Sequence, residues 1–77
     1  MTMHDLDVVL TADLPAHGLK AGDLGTIVET YAPDALEVEF VTASGRTQAL
    51  VTLPPSSLRQ VEDNDLVAVR PVASQDL

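Results

Sequence analysis

Wherever apolar residues recur regularly along this chain they do so at every second position, which predicts strands and no amphipathic helix. "DVVLTADLP", Asp7 to Pro15, opens with Val8, Val9 and Leu10 and closes on a proline that a central strand cannot contain, so it supplies the first strand. "TIVETY", Thr26 to Tyr31, begins with three β-branched residues and predicts the second. "ALEVEFV", Ala35 to Val41, alternates most cleanly, with Leu36, Val38 and Phe40 on one face and Glu37 and Glu39 on the other. "TQALVTL", Thr47 to Leu53, predicts a fourth strand that stops at Pro54 and Pro55. "PPSSLRQV" then predicts one turn of 3-10 helix and a short fifth strand through Val61.

The breaks between these runs are turn chemistry. Ala32 to Asp34 joins strands two and three through Pro33, whose φ is preset, and Asp34, which bonds its own downstream backbone. Ser44 and Gly45 close the next hairpin. The longest break, "HGLKAGDLGTIVE" from His17, carries Gly18, Gly22, Gly25 and Lys20, the ingredients of a phosphate loop. Such loops present the N-terminus of a helix to the anion, whereas here a strand follows and Asp23 stands where the anion would lie. The segment therefore reads as a pair of turns, with Gly22 at positive φ, Asp23 bonding nearby amides and Lys20 solvated.

After Val61 the character changes. "EDND" is a charged break, and "LVAVRPV", Leu66 to Val72, alternates again up to Pro71. Residues 1–61 form the expected barrel domain, and 62–77 an edge segment and tail with a frayed "ASQDL" end. Two readings of the tail stay open. One is an edge strand covering an open end of the barrel, with Leu66 and Val67 or Val69 reaching the core; the other pairs the segment with a second chain in a homodimer.

Composition narrows the function. In 77 residues there is no cysteine, so neither disulfides nor thiolate metal sites supplement the core. Twelve acids face four bases, for a net charge of −8, which repels polyanions and favours a basic protein partner. Lys20, Arg46, Arg59 and Arg70 are too scattered for nucleic-acid binding. No apolar run approaches the ~20 residues of a membrane span, and no secretory leader precedes the first strand. A cytoplasmic protein is expected.

The stretch from Asp7 to Tyr31, with its "DLP..GL..GD.GT" spacing, together with "LEVEFVTASGRTQALVTLPPSSLR", resembles a family of small bacterial proteins, the domain of unknown function DUF4926. The block "GLKAGDLGTIVE" also resembles the start of KOW-type and nitrile-hydratase β-subunit barrels. These resemblances imply a small, all-β, SH3-like five-stranded barrel, with no catalytic residues to carry over. They also imply an accessory or toxin-neutralising partner of a neighbouring protein or, alternatively, a small accessory subunit of an enzyme, with KOW-like nucleic-acid binding a third reading that the charge disfavours.

No catalytic constellation appears. His17 lies near Asp13 without a nucleophile, His4 lies in the N-terminal end, and Ser44, Ser56 and Ser57 are turn residues outside any nucleophile elbow. No cofactor or metal is expected, because Glu29, Glu37 and Glu39 lack the oxygen-rich loop that calcium requires. The expected core holds Val9, Leu19, Ile27, Val28, Val38, Phe40, Leu50, Val51 and Leu58. The candidate partner surface is Glu29, Glu37 and Glu39, with Leu66, Val67, Val69 and Arg70 for docking or self-association. The expected function is a non-enzymatic protein-interaction module.

Overall fold

The computed structural model describes residues 6–72, so His4 and the expected frayed end at 73–77 lie outside the described residues. Five strands form: β1 (Asp7–Leu10), β2 (Leu24–Tyr31), β3 (Ala35–Val41), β4 (Thr47–Leu53) and β5 (Leu58–Gln60). Two 3-10 turns, Pro15–His17 and Pro55–Ser57, join them, and each carries proline in its first turn, where a missing N–H costs nothing. The protein is thus all-β, as the two-residue rhythm predicts.

All the strands pair antiparallel in one sheet of order β4-β3-β2-β1-β5. The ladder does not close into a barrel, because β4 and β5 end the order without pairing to each other. β2 connects the two halves. Its residues Leu24 to Thr26 pair with β1, whereas Thr26 to Tyr31 pair with β3. The register shifts between Ile27 and Glu29, a bulge of the kind that bends a strand and increases its twist.

β2 begins two residues before the expected start at Thr26, and Gly25 explains why that is possible. A Cβ at this position would lie 2.7 Å from both Phe40 Cε2 and Val38 Cγ1. The missing side chain lets β2 lie directly over the β3 core residues.

Val8, Leu10, Leu19, Val38, Phe40, Ala49 and Leu53 form the buried cluster, with Leu14, Ile27, Leu36, Val51 and Leu58 packed around it. Val9 is also buried, apart from that cluster. Of Ile27 and Val28, it is Ile27 that packs inward; Val28 sits in the bulge and is half exposed. The expectation that Leu50 belongs to the core is wrong, since it is 54% exposed. A second register shift between Phe40 and Val41 leaves Gln48 unmatched, and Ala49, Val51 and Leu53 take the inward positions.

The expected edge strand at Leu66 to Val72 does not form among the described residues, where 61–72 makes no ladder. Leu66 and Val69 are each 94% exposed and Val67 is exposed, so none of them reaches the core. The segment turns at 62–65 instead. Asp65 N–H donates to Glu62 O at 3.0 Å, and Glu62 N–H donates to Asp65 Oδ2 at 2.8 Å. Arg59 grips the same carboxylate with two N–H donors, at 2.8 and 2.9 Å.

Candidate functional site

Strand alternation carries Glu37 and Glu39 to the face of β3 opposite Val38 and Phe40. Pairing then adds their neighbours. Glu29 of β2 lies directly across from Glu37, Thr26 across from Glu39, and Leu50 and Thr52 of β4 flank the two acids from the other side. The three sequence-predicted carboxylates are therefore brought together on one outward face of the β2-β3-β4 sheet.

Two of these acids are fixed in direction. The Tyr31 hydroxyl donates to Glu37 Oε1 at 2.8 Å, and the Thr47 hydroxyl donates to Glu39 Oε2 at 2.6 Å. The Glu37 carboxylate that accepts the phenol proton, helped by partial desolvation and by the charges of Glu37 and Glu29, holds Tyr31 above the ordinary phenol range. Apolar side chains stand on the same strands, with Val41, Leu50, Tyr31 and Val28 each about half exposed. Carboxylates set among exposed aliphatic and aromatic groups make a surface able to meet cationic side chains and cover their apolar stems.

The other predicted residues lie elsewhere. Leu66, Val67 and Val69 project from the C-terminal segment, and Arg70 bonds to the loop before β2. Sequence reading missed Tyr31 and Thr47 as orienting donors, since neither lies within two residues of the acid it binds. It also missed the partnership of Arg70 with Asp23, 47 residues away, for which alternation carries no signal.

The long turn forms as expected. Gly22 has φ of 98°, Lys20 N–H donates to Asp23 Oδ2 at 2.8 Å, and Lys20 itself is exposed. A strand, not a helix, follows it. His17 ends the first 3-10 turn in an exposed position, and its carbonyl accepts from Gln48 Nε2 at 3.2 Å. Among the described residues no group of three or more His, Cys, Asp or Glu could hold a metal ion. No helix there is long and apolar enough to cross a membrane. An open depression of about 320 Å³ lies at the β2-β3 turn, lined by Tyr31, Pro33 and Leu36 with Pro55 opposite. Asp34 is the only ionisable carboxyl in its wall.

A family model described as a domain of unknown function, DUF4926, matches residues 3–60. No curated protein and no solved structure matches the chain.

Proposed function

Because the chain belongs to the DUF4926 family, whose description assigns no activity, we propose its function from the geometry. It is a non-enzymatic protein-interaction module whose acidic sheet face meets a basic protein partner. The observation that carries this reading is the direct cross-strand placement of Glu29 against Glu37. Like charges in that position destabilise a sheet, so the pairing gives the fold nothing. A basic partner gains from it.

Orientation strengthens the argument. Two acids held by hydroxyl donors lose less freedom on binding than loose side chains would, which lowers the cost of association. The net charge of −8 then speeds encounter with a cationic surface. Nucleic acid stays outside this reading. Arg59 and Arg70 are each engaged by a carboxylate, so neither offers a free positive charge for phosphate.

We read the fold as an SH3-like barrel in its connectivity. Five features support this: a first strand flanked by β2 and β5, a long structured turn before β2, a β2 shared by both halves of the sheet, a tight β3-β4 hairpin, and a 3-10 turn before β5. Such a scaffold leaves the outer face of β2-β3-β4 free for a partner.

Capture from the native cell with identification by mass spectrometry tests the proposal. Immobilised native chain is expected to retain a basic protein that Glu37→Lys/Glu39→Lys loses. Equal capture by both proteins at every salt concentration would refute the acidic-face reading.

A further inference from the structure

Arg70 occupies a built position. Its Nε–H donates to Asp23 Oδ1 at 2.9 Å, one Nη2–H donates to the other carboxylate oxygen, and another reaches Gly18 O at 3.1 Å. Such a two-point fork on a carboxylate is the geometry that distinguishes guanidinium from ammonium.

The receiving loop is preset for this contact. Gly18 adopts φ of 70°, a left-handed conformation that glycine takes without steric cost, and its N–H closes on Pro15 O. Asp23 Oδ2 is held by Lys20 N–H, and Asp13 Oδ1 by Ala21 N–H, each at 2.8 Å. Leu10 accepts from Gly22 N–H at 2.8 Å and donates to Asp23 O at 2.9 Å, which ties the loop to the buried end of β1. The Asp23 and Gly18 oxygens that Arg70 meets thus belong to a loop tied to the sheet, while its Nη1–H donates to Pro71 O of the tail itself at 3.3 Å.

The tail between its two fixed ends is unpacked. Between the Glu62 to Asp65 turn and Arg70, Leu66, Val67 and Val69 all stand in solvent. The guanidinium cradle is therefore filled by a side chain at the far end of a segment that is anchored at Glu62 to Asp65 and unpacked between.

We propose that the Gly18 to Asp23 turn is a recognition site for an arginine in an extended segment of a basic protein partner, and that Arg70 is its built-in competitor. The inference rests on the reading of this chain as a module for a basic partner and adds where that partner's arginine docks. The charge balance selects a foreign basic chain over a second copy, because two copies would each bring −8. Leu66, Val67 and Val69 beside Arg70 are already exposed to the same partner.

The probe is the blocked heptapeptide LVAVRPV, which copies residues 66–72 and presents the arginine in its native setting. It is titrated into isotope-labelled full-length chain while the amide signals of Gly18 to Asp23 are followed. If Arg70 fills the site nine-tenths of the time, apparent affinity is reduced about tenfold. Arg70→Gln is therefore expected to bind the peptide about tenfold more tightly than the native chain. A peptide with lysine in place of arginine, and the double variant Asp23→Asn/Arg70→Gln, are expected to lose binding.

Equal affinity for Arg70→Gln and native chain, with the remaining amide signals unshifted, would overturn the proposal. So would binding that survives in the double variant. Native chain sedimenting at twice its 8.2 kDa mass would also overturn it, by showing a second copy as the occupant. Loss of partner capture by Glu37→Lys/Glu39→Lys does not involve this turn, so the two readings fail separately.

Discussion

"LEVEFV" and "LVAVRPV" carry nearly the same alternation, yet Leu36 to Val41 is a central strand and Leu66 to Val72 forms no ladder. β3 has a hydrogen-bonding neighbour on each side, and its Val38 is completely buried. The tail has neither, and its leucine and valines remain in solvent. Alternation states which side chains would share a face if a strand formed. Whether it forms depends on a free edge within reach and on the local competition for the segment's polar groups. Here the turn at Glu62 to Asp65 and the fork from Arg70 to Asp23 fix both ends of the segment away from any ladder.

The largest break between the two regions comes from equal truncations in each. Leu10→Ala, at a side chain 1% exposed, is expected to cost ~2–5 kcal/mol in urea unfolding. Leu66→Ala is expected to stay within ~0.5 kcal/mol of the native chain. Comparable losses would mean that the tail is packed in solution.

Gly25 sharpens the same contrast at the crossing of β2 over β3. Gly25→Ala drives a methyl against Val38 and Phe40 and is expected to lower stability by ~1–3 kcal/mol, read from the same denaturation curves. An unchanged midpoint would show that the two halves of the sheet lie farther apart than described.

A smaller effect, with opposite sign, is expected on the outer face. Glu29→Lys replaces a like-charge pair with an opposite one beside Glu37 and is expected to add ~0.2–1 kcal/mol of stability. The same change is expected to weaken partner capture. A variant both more stable and equally retentive would separate the charge pairing from binding.

The smallest expected effect lies at the tail latch and depends on pH. The Arg70 hydrogen bond, opposed in part by burial and aided by the Lys20 amide, holds the Asp23 carboxyl below its ordinary 3.8. A carboxyl depressed on folding contributes stability that is present above about pH 4 and is lost as pH falls through the folded value. Arg70→Gln is expected to flatten this part of the acid-unfolding profile by lowering stability slightly above about pH 4, pH 7 included, while the two curves converge below the folded value. An acid limb of unchanged steepness would show that Asp23 keeps its low value without Arg70.

How much of the molecule could be read from its residues follows from which forces are local. β3, β4 and the turns at Gly22 and Gly45 were legible because period-two patterning and positive φ are written within a few residues. The acidic face was legible for the same reason, since Glu37 and Glu39 share a face of any strand that contains them. Leu50 was misassigned because the inward face of β4 is set by its register on β3, where Leu50 lies opposite outward Glu39 and Val51 opposite buried Val38, and register is a property of pairing and not of one strand. The tail failed for a related cause. Its fate is decided by Asp23, on the far side of the sequence, and no periodicity encodes that contact.

The central claim, that the β2-β3-β4 outer face meets a basic partner through its fixed carboxylates, is tested most directly by association kinetics with the captured and purified partner. Stopped-flow rates for the native chain are expected to fall steeply between ~0.05 and ~0.5 M salt as screening shortens the reach of the charges. Glu37→Lys/Glu39→Lys is expected to associate slowly with little dependence on salt. Native and variant rates that coincide across the whole salt range would contradict the account.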